Sequence, residues 1–317
     1  MDIKDTKTWP GLAGERLKNA PQSGKITGIY TGLTLGASLG VSLVVWALDL
    51  AVADTGGLGD FGRRSLLMTL QSILPLGLNL LLLVLDLGFT GAMLRVSRGQ
   101  YASPNALRLG LDRFWVLLRA TLALGLVYLG VGLPVAYLAL AVYMLTPWGD
   151  GVVQAMLPMI LESSLTEEGY SQIAQAMEPC VVVCGIAMAL AVLAVSYRYR
   201  MVSFVLLDKP GTGALAALRE SRAMMKGNCL RLFRLDLRLW WYYAGLVLSR
   251  GAEELSRFLP WPEEVGSWVS YGLSLAILGL TYIFARSRAE VAYGFAYDSL
   301  RPKQPQSGVV LGNIFQM

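Results

Sequence analysis

The chain has 317 residues, of which 55% are hydrophobic and 15% are charged, and its formal net charge is +5. A soluble domain typically carries about 25% charged residues, so this composition, with a mean hydropathy of +0.51, excludes an ordinary soluble protein. Several continuous apolar runs reach the ~20 residues that a helix needs to cross a bilayer, and their continuity disfavours an alternating β-barrel. We therefore predict an all-α, polytopic membrane protein with short interfacial amphipathic helices.

Residues that would support catalysis are scarce. The chain has no histidine, which removes the commonest general base and the commonest zinc ligand. Its acidic residues are scattered among predicted loops, and no G-x-x-x-x-G-K-[ST] phosphate loop occurs. We interpret Cys180, Cys184 and Cys229 as small apolar residues. The sequence thus predicts no catalytic site, no metal site and no cofactor, and a protein that is not an enzyme.

The N-terminal part contains a polar segment and a glycine-rich first span. Residues 1–25 lack the apolar core of a signal peptide and are predicted to be a cytoplasmic segment. The first span, at about 26–48, has glycine at every fourth position, a spacing that lets a second helix approach closely. We predict that this face packs at an angle against a helix of the same chain. The glycines are Gly28, Gly32, Gly36 and Gly40.

The second span, at about 66–94, contains Pro75 and a carboxylate, Asp86. Asp86 precedes Arg95 by nine residues, or about 13 Å of helix, which places it near mid-bilayer. Two interpretations stay open: a functional site, or a structural partner for a cation on a neighbouring helix. In either case we expect it to pair with Arg234 or Arg238.

Four further spans complete the predicted membrane domain. The third covers about 114–145, the fourth 179–197 and the sixth 266–285. The fifth has two alternative starts, Leu230 and Leu239. We prefer Leu230, because arginines near a helix end can extend to the interface whereas paired glutamates cannot. The predicted organisation is a single six-helix domain over 26–300 and a C-terminal tail over 301–317.

The distribution of cations predicts the orientation. Of the 27 lysines and arginines, all but Arg63, Arg64, Arg250 and Arg257 fall on one side of a six-span arrangement. Short loops that are rich in lysine and arginine stay in the cytoplasm. We therefore expect both termini to be cytoplasmic, in a multi-pass protein of the plasma membrane.

A short amphipathic helix is predicted over 213–226, between two apolar segments. Leu215, Leu218 and Met225 lie on one stripe with basic residues opposite, and Gly227 is placed for a left-handed cap. This composition is typical of a helix that lies in the membrane interface. We predict that its basic face contacts anionic lipid headgroups; the alternative is that these residues only establish topology. The basic residues are Arg219, Arg222, Lys226 and, close behind, Arg231.

Three stretches resemble a family of bacterial membrane proteins known as a domain of unknown function, number nine-seven-five. The matching positions in the main stretch are Ala217-Leu218, Ser221, Met225-Lys226-Gly227, Phe233, Leu235 and Leu237. VSRGQYASPNALRLGLDRF resembles the family's arginine-glycine turn, and FAYDSL resembles its aromatic end. The chain departs from the pattern at Ala285-Arg286, where the family usually has proline-tyrosine. The resemblance implies six helices in a bacterial plasma membrane and no assigned chemistry. More distantly, such proteins look like the membrane portions of some glycerophosphodiesterases.

Two functions from different classes are consistent with these features. The preferred one is an accessory or scaffold protein with a cytoplasmic face that contacts anionic lipids, with membrane lipids and a protein in the membrane as partners. The alternative is a transporter or permease-like protein for a small solute or lipid, in which Asp86 acts within the membrane. No nucleic-acid partner is expected, because no domain is predicted to be free to leave the membrane.

Overall fold

The computed structural model is all-α over residues 8–53, 61–162, 167–254 and 263–301, which are the residues that it describes. In the first half of the chain the helices are α1 Trp9–Lys18, α2 Gln22–Ala53, α3 Phe61–Ser97, a 3₁₀ turn at Pro104–Arg108, α4 Leu109–Asp112, α5 Phe114–Met144, α6 Pro147–Glu162 and α7 Glu167–Tyr199. In the second half they are α8 Val202–Asp208, α9 Ala214–Met225, α10 Cys229–Arg238, α11 Trp240–Glu253, α12 Glu263–Thr281, a π turn at Tyr282–Arg286 and α13 Ser287–Leu300.

Five helical segments of the described chain are long and apolar enough to cross a membrane. They correspond to the first, second, third, fourth and sixth predicted spans, and cover Gln22–Val52, Gly62–Ser97, Phe114–Met144, Ala174–Asp208 and Val265–Leu300. Large apolar side chains such as Leu126 and Leu138 are exposed on them, as expected for surfaces that face lipid. The prediction of a multi-pass α-helical membrane protein is confirmed in this form.

The region predicted as the fifth span is different. It forms two shorter helices, α10 and α11, which are separated at Leu239. This residue leaves the helical backbone, with φ −93° and ψ 20°, and its side chain is fully buried. At 14 residues, α11 is about 21 Å long, which is short of the ~30 Å hydrocarbon core. Arg257, part of the alternative placement of this span, lies outside the described residues.

The chain divides into two compact units. The first comprises Met1–Phe114, Ser203–Gly211 and Lys226–Met317. Within it, α11 and α12 form a closely packed antiparallel pair, in which Ser249 donates to the carbonyl of Ser274 at 3.1 Å. Gly245 permits this approach, since a Cβ at that position would lie 2.3 Å from Thr281 Oγ1.

The N-terminal helix α1 also belongs to this unit. Residues 1–25 were predicted to precede the membrane domain, but α1 packs against α13 through Trp9 and Ala13, both fully buried. Arg288 Nε donates to the carbonyl of Pro10 at 3.0 Å and ties the two helices together. An amphipathic helix of this kind is held by its buried face rather than by its intrinsic propensity. The predicted tail lies outside the described residues beyond Arg301.

The second unit comprises Trp115–Val202 and Thr212–Met225, which hold α5, α6, α7 and α9. Ser221 of α9 is fully buried. Its hydroxyl donates to the carbonyl of Arg198 at 3.2 Å and accepts from the Met201 N–H at 3.3 Å. These bonds dock α9 on the chain that leaves α7 and satisfy backbone groups at the helix end.

The amphipathic helix predicted over 213–226 is confirmed, with observed bounds Ala214–Met225. Leu218 and Met225 are buried as predicted, whereas Leu215 is 65% exposed and does not belong to the buried stripe. Gly227 has φ +81°, so the predicted left-handed cap is confirmed.

The glycine face of α2 requires a correction. A Cβ built at Gly28, Gly32, Gly36 or Gly40 would meet no atom within 4 Å, so this face packs on no described part of the chain. The packing face of α2 is instead the row that contains Ile26 and Tyr30, both buried. Burial of a large side chain removes more apolar surface from solvent than burial of glycine does. The face of α2 that carries the large side chains therefore packs against the protein, and the glycine face does not.

Close backbone contact occurs where α3 meets the 3₁₀ turn and α4. A Cβ at Gly88 would lie 2.2 Å from the carbonyl oxygen of Leu107, and one at Gly110 would lie 1.9 Å from that of Val84. The two glycines therefore allow two backbones to touch at reciprocal positions. This contact holds the 3₁₀ turn and α4 against α3, the helix that carries Asp86.

Candidate intramembrane charge site

Asp86 of α3 forms an ion pair with Arg286, the last residue of the π turn. The Arg286 Nη2 atom lies 2.6 Å from Asp86 Oδ1. The arginine side chain is only 9% exposed, whereas the aspartate side chain is 47% exposed. Tyr30 of α2 also donates its hydroxyl to Asp86 Oδ1. The carboxylate thus receives two donors from two different helical segments.

Three aromatic rings surround the Arg286 guanidinium. Its central carbon lies 4.7 Å from the ring centroid of Tyr282, 4.9 Å from that of Tyr30 and 5.7 Å from that of Phe89. Aromatic faces attract cations, and the attraction grows when water is excluded. These rings offset part of the cost of burying a permanent charge. The Arg286 Nε atom is nevertheless buried without a hydrogen-bond partner among the described residues.

The π turn determines where Arg286 points. It interrupts the helix that runs from α12 into α13 and covers Tyr282–Arg286. A π turn adds a residue to one helical turn, which rotates every later side chain relative to a regular helix. Arg286, at the end of the turn, faces Asp86, and its guanidinium lies over the ring of Tyr282 at the beginning of the turn. Such turns are frequently found at functional sites.

The predicted partner of Asp86 is corrected by this geometry. We expected Arg234 or Arg238, but the ion pair is made with Arg286. Arg234 is exposed on α10, and Arg238 is half-buried, with no described residue bonding its Nη1 atom. The predicted sixth span ended at Ala285, so Arg286 was placed just beyond the membrane-spanning segment. Its direct continuation of an apolar run was the sequence signal that could have identified it.

A second polar cluster lies in α10, around the buried carboxylate of Asp236. Tyr293 of α13 donates its hydroxyl to Asp236, and the same hydroxyl contacts that of Tyr243 on α11. The carboxylate therefore joins three helices within the first unit. The sequence placed Asp236 among the arginines of the fifth span and did not predict this role.

A charged network joins the ends of α3, α8 and α13. Arg98 donates to Asp298 at 2.6 Å and to Asp208 at 2.8 Å. Arg301 lies 3.0 Å from the second oxygen of Asp208, which also accepts from Tyr297 at 3.1 Å. The hydrogen bond to Asp298 raises the pKa of the Arg98 guanidinium against the opposing effect of burial, and the bond to Asp208 raises it further. Two cations and two carboxylates thus hold three chain segments together.

This network brings together stretches that are distant in the sequence. Arg98 and Gly99 form the arginine-glycine turn, Asp208 ends the apolar run before α9, and Tyr297 with Asp298 belongs to the FAYDSL stretch. Gly99 has φ +73°, and the N–H of Gln100 bonds the carbonyl of Arg95 at 2.9 Å, which is the glycine-capped end of α3. The turn places Arg98 where it reaches both carboxylates.

The predicted lipid-contact residues lie mainly at the surface. Arg219 and Arg222 are exposed on α9, and Lys226 is exposed directly after it. Arg231 is half-buried on α10, where its Nη1 atom bonds Asn228 at 3.4 Å. The buried face of α9 consists of Ala217, Leu218, Ser221, Met224 and Met225.

The five long apolar helices of the described chain indicate the class of the protein, a multi-pass α-helical membrane protein. Residues 65–304, most of the chain, match a family model described as "Protein of unknown function (DUF975)". The chain belongs to this family, and the resemblance found in the sequence is confirmed. No curated protein and no solved structure matches the chain, so the more distant likeness to glycerophosphodiesterase membrane portions stays a prediction.

Proposed function

We propose that this protein is a non-enzymatic accessory or scaffold protein of the plasma membrane, and that its cytoplasmic face contacts anionic lipid headgroups. The observation that carries the proposal is the surface of α10. One face of this helix packs against the protein. Of its two other faces, one is apolar and the other is basic. Such a helix suits the boundary between the hydrocarbon core and the headgroups.

Three rows of side chains follow α10 at helical spacing. Leu232 and Leu235 are fully buried against the protein. A second row is apolar and yet exposed: Leu230 is 71% exposed, Phe233 43% and Leu237 57%. The third row is basic and lies beside the second, and consists of Arg231, Arg234 and Arg238. In water the exposed apolar row would be unfavourable, whereas at an interface it enters the hydrocarbon while Arg231 and Arg234 reach the headgroups.

Helix α9, which directly precedes α10 in the sequence, carries further basic residues. Arg219 and Arg222 are exposed, and the opposite face of the helix is buried. Each cation near an anionic leaflet contributes on the order of 1 kcal/mol of attraction. Several cations acting together would therefore retain anionic lipid through purification.

We further propose that both termini and α9 are cytoplasmic, on the basis of the positive-inside rule. Single cysteines at Gln154 and Thr212, in a background without Cys180, Cys184 and Cys229, test this orientation. Gln154→Cys should react with a membrane-impermeant thiol reagent on intact cells, whereas Thr212→Cys should react only after permeabilisation. The reverse pattern would show that the orientation is inverted.

Lipid retention tests the headgroup contact. The double variant Arg231→Gln/Arg234→Gln should lose about 2 kcal/mol of attraction, or roughly thirtyfold in affinity for phosphatidylglycerol. The triple variant Arg219→Gln/Arg222→Gln/Lys226→Gln should show a similar or larger loss. Native mass spectrometry of protein titrated with phosphatidylglycerol measures the bound fraction.

The matched control is Arg63→Gln/Arg64→Gln, which removes two exposed cations at the start of α3 and should leave retention unchanged. Titration with phosphatidylcholine should show weak binding to every variant. Equal phosphatidylglycerol occupancy in the wild type and both basic variants would refute the headgroup contact and leave those residues with a topological role alone.

A second candidate function, transport of a small solute or lipid, is favoured by the Asp86–Arg286 pair. A buried ion pair with a half-exposed carboxylate is unusual in a protein that only packs against its neighbours. In this alternative, Asp86→Asn would abolish transport in protein that remains folded.

A further inference from the structure

A cavity with a volume of about 260 Å³ lies between two separate parts of the first unit. One side of it comes from the end of α1 and the beginning of α2, and the other side comes from the end of α3 and the turn that follows. Sites for drug-sized ligands typically occupy about 300–1,000 Å³, so this cavity suits a smaller group, such as an ion or a lipid headgroup.

The lining of this cavity is polar and basic. Its polar side chains are one guanidinium, three carboxamides and one phenol, and no carboxylate occurs among its described lining residues. All five groups can donate hydrogen bonds, and a guanidinium presents planar donors that match two oxygens of a phosphate group. This set of donors favours an anion with several oxygens. The polar lining residues are Arg16, Asn19, Gln22, Gln100 and Tyr101.

Arg16 is the cation of this cavity, and its guanidinium lies over Gly99. The Nη1 atom is 2.9 Å from the place that a Cβ on Gly99 would occupy, so a larger residue there would displace the guanidinium. Gly99 also has φ +73°, the conformation that ends α3. No described carboxylate forms an ion pair with Arg16, in contrast to Arg98, which contacts Asp208 and Asp298. The charge of Arg16 is therefore available to a ligand.

The cavity lies close to the depth of lipid headgroups. Ile29, the first exposed large apolar side chain of α2, is 43% exposed. It lies seven residues after Gln22, or about 10 Å along the helix. The headgroup layer extends about 5 to 8 Å beyond the hydrocarbon core. The cavity is thus near the outer edge of this layer, where a lipid phosphate or a dissolved phosphate compound can enter it.

From these observations we infer that the cavity between the end of α1 and the end of α3 binds a phosphate group, which belongs to a phospholipid headgroup or to a small soluble phosphate compound. Arg16 supplies the charge and two parallel donors, and the carboxamides and the phenol of the lining bind the remaining oxygens. This site lies in a different part of the chain from the headgroup contact proposed for α9 and α10, and it does not depend on that contact.

Binding of radiolabelled inorganic phosphate to the full-length protein in neutral detergent, measured by equilibrium dialysis, tests the soluble source. Arg16→Gln removes the charge, and Asn19→Asp places a carboxylate beside it with almost no change of shape. Each variant has a matched control outside the lining of the cavity. Lys18→Gln removes an exposed cation from the same helix, and Asn105→Asp makes the same change at an exposed position after α3. Every variant must elute as the parent protein does.

Native mass spectrometry with phosphatidylglycerol tests the lipid source. This titration uses the Arg231→Gln/Arg234→Gln background, so that the contact proposed for α10 does not mask the cavity. For at least one of the two ligands, we expect the dissociation constant to rise about tenfold or more in Arg16→Gln and in Asn19→Asp. In the two controls it should change by less than about twofold. An effect on phosphatidylglycerol alone identifies a lipid headgroup, whereas an effect on inorganic phosphate identifies a site that takes dissolved phosphate compounds.

Equal dissociation constants in the parent, Arg16→Gln and Asn19→Asp for both ligands would overturn the inference, as would a parent protein that binds neither ligand. A lower unfolding temperature of Arg16→Gln with unchanged binding would show that Arg16 only stabilises the end of α3. An equal loss of binding in Arg16→Gln and Lys18→Gln would indicate general attraction by net charge, and the cavity would then be rejected as the site.

Discussion

Replacement of Gly110 or Gly88 by alanine is expected to destabilise the protein by about 3 kcal/mol or more. The added methyl at Gly110 would lie 1.9 Å from the carbonyl oxygen of Val84, and the one at Gly88 would lie 2.2 Å from that of Leu107. Both obstacles are backbone atoms, which cannot rotate away as a side chain does. The two helical segments would have to separate. Thermal unfolding of detergent-solubilised protein, followed by circular dichroism, measures the loss.

The control for this prediction is Gly32→Ala. It makes the same chemical change inside a long helix, but no atom of the described residues lies within 4 Å of the added carbon. Alanine loses less backbone entropy than glycine, so this variant should be as stable as the parent or more stable by roughly 0.5–1 kcal/mol. Similar midpoints for Gly110→Ala and Gly32→Ala would be incompatible with the close contact between α3 and α4.

Removal of the carboxylate from the intramembrane pair should cost more than removal of the cation. Asp86→Asn leaves Arg286 charged, 9% exposed and without its counter-ion, and an arginine cannot shed its proton in a protein. We expect a loss of about 3 kcal/mol. Arg286→Met leaves Asp86, which is 47% exposed and can bind water. We expect a loss of about 1 kcal/mol for that variant.

The double variant Asp86→Asn/Arg286→Met distinguishes two charges that interact from two charges that act independently. With both charges removed, no uncompensated ion remains in the membrane, so it should be more stable than Asp86→Asn alone. Chemical unfolding or thermal midpoints of the three variants complete the cycle. Losses that simply add would indicate that the two charges do not interact.

Local features of the chain were largely predictable from the sequence. The five long helices follow from continuous apolar runs, and α9 follows from an amphipathic pattern between Pro210 and Gly227. These properties depend on residues within a few turns of one another. Composition and hydropathy therefore determine them without any knowledge of distant neighbours.

The fifth predicted span is not one helix. Its helix is interrupted at Leu239, and tertiary contacts stabilise this interruption. The segment from Leu230 onwards was predicted as one helix because arginines in its first half can extend to the interface, but Leu239 is buried in a non-helical conformation that separates α10 from α11. Burial of Leu239 and the bonds of Asp236 to α13 stabilise this break. The bond to Asp236 is not encoded in the periodicity of the segment, because its donor, Tyr293, lies 57 residues further along the chain.

What the sequence alone determined is thus the membrane class, the positions of five long helices and the amphipathic pattern of α9. Only the tertiary structure decided that Arg286 pairs with Asp86, that Ile26 and Tyr30 rather than the glycines form the packing face of α2, and that Arg98, Asp208 and Asp298 meet. The reason is physical. Helix formation and membrane insertion depend on the hydrogen bonds and hydropathy of one segment, whereas the partner of a charge or a glycine depends on helix rotation and crossing, which are determined by the packing of several segments at once.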